Sequence, residues 1–115
     1  MSQEFLRSYD GSEPVEVVIG DFGVSKVLEE EQDMTSTVLG TPIIFSPEML
    51  IIQKYSYSND IWALGVNIYT MLVGMPPFNG NNLDELLIST LKGKYLIPKC
   101  LNISLACLDF INQCL

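Results

Sequence analysis

The sequence predicts a mainly α-helical fold with a small α+β remnant at its start, and three stretches predict it. Asp60-Ile-Trp-Ala-Leu-Gly-Val-Asn-Ile-Tyr-Thr-Met-Leu-Val73 is apolar nearly all round, Leu83–Lys92 repeats its apolar residues at helical spacing, and Val15–Ile19 is rich in β-branched residues. The first reads as a central buried helix, the second as a helix with one covered face, the third as a strand.

In chain order, Glu4–Arg7 suggests a short strand, Ser8–Pro14 a turn and Val15–Ile19 the returning strand of a hairpin. The hairpin leads into Gly20-Asp21-Phe22-Gly23, where Gly23 lets the backbone turn sharply. From Val24 to Leu39 the chain is acidic (Glu29–Asp33) and then hydroxyl-rich (Thr35, Ser36, Thr37), with no periodic apolar face. That composition is a solvated loop. Pro47–Gln53 reads as a short helix with proline in its first turn, where the missing amide costs nothing.

Lys54–Asn59 is expected to link into the central helix, placed at residues 59–73. Its apolar residues leave no wide polar face, so neighbours should cover it on several sides and solvent should touch little of it. Ser58 or Asn59 is the expected N-cap, and Gly74 the left-handed residue that closes the helix. The two prolines of Gly74-Met-Pro-Pro-Phe78 prevent continuation. Asn79–Asn82 is a turn, and Leu83, Leu86, Leu87 and Leu91 then form one face of a helix that Gly93 ends. Tyr95–Pro98 is extended, and Ser104 caps a last helix running to Leu115.

Fourteen acidic residues stand against five lysines and Arg7, a net charge of −8 that argues against nucleic acid or an anionic membrane as partner. The apolar run of the central helix is shorter than the ~20 residues a bilayer requires. Met1–Glu4 carries no basic segment and no apolar signal core, which points to a cytoplasmic or otherwise intracellular protein. Cys100, Cys107 and Cys114 are spaced by seven with no histidine to complete a zinc set, and they read as buried thiols. Apolar residues make up 48% of the chain against 17% charged, a surplus that suggests an interface left uncovered.

Asp60-Ile-Trp-Ala-Leu-Gly-Val, followed by Gly74-Met-Pro-Pro-Phe78, resembles the central helix of the large lobe of eukaryotic protein kinases. Gly20-Asp21-Phe22-Gly23 and Gly40-Thr-Pro-Ile-Ile-Phe-Ser-Pro-Glu48 resemble, in the right order, that family's Asp-Phe-Gly motif and the end of its activation segment. Ile44 stands where a tyrosine is usual and Ser46 where an alanine is usual. The resemblance implies a partial protein kinase domain over residues 1–115, the lower large lobe, with an activation segment at 21–48. Asp21, Phe22 and Gly23 would then belong to the nucleotide side. Asp21 would hold magnesium on the ATP phosphates, and Phe22 would pack into the hydrophobic core.

Thr35, Ser36, Thr37 and Thr41 would lie in the activation segment, with Thr37 the candidate for phosphorylation and Thr41 pointing to serine/threonine specificity. Glu48 and Asp60 would be structural: in the family the first pairs with an arginine and the second braces the catalytic loop. Asn67 stands where the family has an apolar residue and reads as a helix asparagine bonded to a neighbouring backbone. Thr70 stands where basophilic kinases carry glutamate, so substrate preference is unreadable.

Phosphoryl transfer needs bound ATP, metal on its phosphates and a carboxylate that orients the attacking hydroxyl. This chain has no histidine and one arginine, Arg7, so it contains no His-Arg-Asp catalytic loop. It is expected to be a fragment without the small lobe or a catalytic residue of its own, marginally stable and inactive alone. ATP and magnesium would serve the parent kinase and would not bind this chain tightly. The implied function is that of a serine/threonine protein kinase, and the alternative is a non-catalytic, pseudokinase-like binding or scaffold module. In either case a protein substrate or partner would meet the activation segment and the helix Leu83–Lys92.

Overall fold

The structure is a computed structural model that describes residues 18–20, 22, 42–52 and 55–115. Among these residues a 3-10 turn, Pro42–Ile44, is followed by helices α1 (Pro47–Ile52), α2 (Tyr57–Val73), α3 (Leu83–Lys92) and α4 (Leu105–Cys114). α4 packs on α2, α1 on α3, and the 3-10 turn on α2. Of the expected hairpin only Val18 and Ile19 are described, and they carry no strand.

The predicted helix ends are largely where the capping chemistry put them. The backbone at Gly74 is left-handed, with φ 85°, and its N–H donates to the Thr70 carbonyl at 2.8 Å. Asn82 caps α3 by accepting the Glu85 N–H at 2.9 Å, while the Glu85 carboxylate accepts from the Asn81 backbone N–H at 2.9 Å and from its side-chain amide at 2.8 Å. Ser104 accepts the Cys107 N–H at 3.2 Å and so starts α4.

The start of α2 differs from expectation. Ser56, not Ser58 or Asn59, is its N-cap, so the helix begins at Tyr57. The physical reason is Asn59, whose Oδ1 accepts the Ser56 backbone N–H at 2.6 Å and holds that residue at the cap position.

The core collects Met49, Val66, Tyr69, Phe78, Leu86 and Ile111, all buried. Phe78 stacks on Trp62, with ring centroids 5.5 Å apart, and meets the edge of Tyr95 at 5.9 Å; Tyr95 in turn meets Tyr69 at 5.4 Å. The Tyr69 hydroxyl donates to the Leu96 carbonyl at 2.6 Å, which ties the segment after α3 to the middle of α2. Thus the predicted stop segment delivers its aromatic back onto the helix it ended.

α2 is central, but its burial is one-sided. Gly65, Val66 and Tyr69 are buried where α4 and the aromatic cluster cover them, whereas Ile61, Leu64, Met71 and Leu72 are exposed, as is Met75 just beyond. The expectation that solvent touches little of this helix fails on that flank, because the described elements cover only the opposite one. Cys100 is also exposed, and Cys107 and Cys114 are half-buried, so the cysteines are not uniformly core thiols.

Candidate functional site

The site with most structure around it is the junction where residues 42–49 meet the start of α2. The 3-10 turn closes with the Phe45 N–H donating to the Pro42 carbonyl at 3.0 Å, and the chain then buries Ser46 to 1% exposure. Ser46 is the residue before α1, and its Oγ accepts the Met49 N–H at 3.4 Å. Pro47 follows at the first helical position, where its fixed φ suits a helix start.

Across the junction, Asn59 is 5% exposed and its side-chain amide donates to Ser46 Oγ. Its Oδ1 also accepts from Ser56 Oγ at 3.2 Å. Outside this buried pair, Ser58 Oγ donates to Glu48 Oε1 at 3.3 Å. Glu48 and Asp60 each lie in the first turn of a helix, where the exposed N–H groups favour negative charge. Asp60 keeps solvent contact, yet partial desolvation pushes its carboxyl above the ordinary value of 3.8.

The sign of that shift gives a test. A raised folded-state value means that the native chain binds the proton more readily than the unfolded one, so stability is lost as pH rises from about 3.8 through the folded value. Asp60→Asn is therefore expected to make the isolated chain more resistant to urea at neutral pH, with the gain vanishing below pH 3.8. A variant less stable than the parent chain at pH 7 would show that the carboxylate is satisfied within the chain.

Of the other residues expected at a site, Asp21, Gly23, Thr35, Ser36, Thr37 and Thr41 lie outside the described residues. Phe22 is described and is 66% exposed in this chain. Asn67 is likewise exposed on α2. The structure brings Glu48 to the start of α2, and it adds two residues that sequence reasoning undervalued, Ser46 and Asn59. The available signal was the serine standing where the resemblance expects alanine: a hydroxyl at a core position requires a partner.

A separate open cleft of about 530 Å³ is lined by Gly93–Leu96, Asn112 and Leu115. There the Tyr95 hydroxyl donates to Asn112 Oδ1 at 2.5 Å, and burial, with smaller contributions from Tyr69 and Cys114, pushes its ionisation above the ordinary value. No predicted site residue lines it. Among the described residues there is no cluster of His, Cys, Asp or Glu suited to a metal, and no helix is long and apolar enough to cross a membrane.

The family described as protein kinase domain matches residues 5–115. The chain is similar to the serine/threonine-protein kinase PLK1 of Xenopus laevis, 40% identical over 91 residues, covering 79% of this chain and 15% of that protein. It is also similar to PLK2 of Mus musculus, 41% identical over 96 residues (84% of this chain, 14% of that one). A probable cell cycle serine/threonine-protein kinase, the CDC5 homolog of Encephalitozoon cuniculi, is 39% identical over 101 residues (86% of this chain, 21% of that one). The chain thus spans between 14% and 21% of the length of these three relatives.

Proposed function

We propose, from the premise that this chain belongs to the protein kinase family, that it is part of an intracellular serine/threonine protein kinase that transfers the γ-phosphoryl group of ATP to protein hydroxyls. The observation that carries this reading is the family match over residues 5–115, which takes in Asp21-Phe22-Gly23, Gly40-Thr41, Pro47-Glu48 and Asp60-Ile-Trp62 in family order. Asp21 would hold magnesium on the phosphates, and the activation segment with Thr35, Ser36, Thr37 and Thr41 would face the protein substrate. Phosphate on Thr37 is part of this reading, and the arginine that would normally meet it is not in this chain.

The donor set supplied by the chain itself falls short of what ATP and magnesium require. Asp21 is one carboxylate, and no His-Arg-Asp loop accompanies it. No catalytic step is therefore assigned to the chain alone.

An antibody to residues 79–94 tests the proposal. Captured from its own cells, the protein should run well above 12.8 kDa and transfer labelled phosphate from magnesium-ATP to serine/threonine peptides, with Asp21→Asn abolishing transfer. The 115-residue chain alone should show no magnesium-dependent ATP affinity by calorimetry at millimolar nucleotide. A captured protein of kinase size that transfers no phosphate would sink the enzymatic reading.

A band only at 12.8 kDa would favour the second reading, a binding module without catalysis. The observation on its side is α3, which exposes Leu83, Ile88 and Leu91 beside Asp84 and offers an apolar, acidic-edged surface to a protein partner.

A further inference from the structure

We infer that Ser46 and Asn59 form a buried positioning pair that anchors the end of the activation segment to α2 and so sets where the segment's substrate-facing residues lie; this rests on the kinase reading above. Both side chains are more than nine-tenths buried. At such a depth a hydroxyl and an amide are tolerated only if they are hydrogen-bonded. Asn59 meets that condition with both ends of its amide: Nδ2 donates to Ser46 Oγ, and Oδ1 accepts from the Ser56 backbone N–H. Ser46 Oγ also accepts the Met49 N–H and thereby fixes the start of α1.

The pair thus links three points that the sequence separates: Ser46 near the end of the segment, the first turn of α1 and the cap of α2. Its position matters more than its energy. Ser46 lies two residues beyond the 3-10 turn Pro42–Ile44, which packs against α2, and Thr41 immediately precedes that turn. An anchor two residues after the turn fixes its register on α2, whereas an alanine at the same place would leave the turn held by packing alone. Asn59 is the residue next to Asp60, so the same pair relates the segment to the carboxylate at the start of α2. These are positioning residues, since neither is placed against substrate or nucleotide.

The test uses the protein as its own cells make it. Ser46→Ala leaves the Asn59 Nδ2 without its acceptor, and Asn59→Ala removes one of the two donors to Ser46 Oγ, leaving it the Met49 N–H. Each is expected to raise the KM for a peptide substrate about fivefold, with kcat and the KM for ATP within about twofold of the parent. Hydrogen exchange of backbone amides in residues 41–46 should accelerate by at least tenfold in both. Ser46→Thr, which keeps the hydroxyl, should restore both readouts. The double variant should lose no more than either single one, as for residues acting as a unit.

Unchanged exchange in Ser46→Ala, or losses that multiply in the double variant, would overturn the pair as an anchor. Faster exchange with unchanged peptide KM would overturn its role in positioning substrate. If the unaltered protein transfers no phosphate, the kinase reading fails and the positioning claim falls with it, while the exchange data still report whether the anchor exists.

Discussion

Phe78→Ala is expected to lower the unfolding free energy of the chain by about 3–5 kcal/mol, the range for truncating a buried phenylalanine. The ring is 2% exposed and serves two neighbours, stacking on Trp62 with an interplanar angle of 18° and meeting the edge of Tyr95 at 85°. Its removal opens a cavity and also unseats Tyr95, whose contact with Tyr69 helps to cover the middle of α2. Against a total of roughly 5–15 kcal/mol for an ordinary domain, that loss takes the chain to the edge of unfolding. Trp62 is the only tryptophan and lies in the stack, so its fluorescence reports the urea transition directly. The control is Phe110→Ala, where the ring is 43% exposed and less apolar surface is lost. Equal midpoints for the two variants would show that Phe78 is not a keystone of the core.

Gly65→Ala is expected to destabilise by about 1–3 kcal/mol, the cost of overpacking, although alanine in a helix interior ordinarily gains up to ~1 kcal/mol over glycine. The reversal comes from the crossing of α2 and α4. A Cβ on residue 65 would fall 2.5 Å from the Cβ of Cys114 and 3.0 Å from Leu115 Cδ2. The first of these atoms is rigidly attached to the backbone, so α4 must move as a body and uncover Ile111, now 0% exposed. Removing the obstructing atom should compensate: Cys114→Gly in the Gly65→Ala background is expected to recover part of the loss in a urea titration. Stabilisation by Gly65→Ala alone would mean that the helices do not approach so closely.

What the sequence made legible was local chemistry. Gly74, Gly93 and Ser104 mark helix ends through hydrogen bonds that reach no more than four residues, and the structure uses them, whereas Asn82, read only as part of a turn, proves to be the cap of α3. The start of α2 was placed at Ser58 or Asn59 and missed Ser56, because all three are competent caps and local chemistry does not rank them. A contact from Asn59 to Ser46, thirteen residues away, engages the asparagine inside the junction. The covered side of α2 was equally unreadable, since a run that is apolar all round names no face. At the candidate site, Glu48 and Asp60 were found by resemblance and fall at helix starts, whereas the importance of Ser46 and Asn59 emerges only when both are seen buried together. The packing of Phe22 came from resemblance alone, with no periodicity around it, and in this chain the ring is 66% exposed.

The bare flank of α2, with Ile61, Leu64, Met71 and Leu72 open to water, gives the isolated chain a colloidal character. Fourteen acids and few bases keep copies apart by mutual repulsion, while that flank would hold them together on contact. Repulsion between exposed charges is screened over about 8 Å at physiological ionic strength and over only about 3 Å at 1 M. Added salt and mild acid therefore act in one direction on this molecule, weakening the barrier and leaving the adhesive surface intact. A preparation that is clear in dilute neutral buffer should turn cloudy in either.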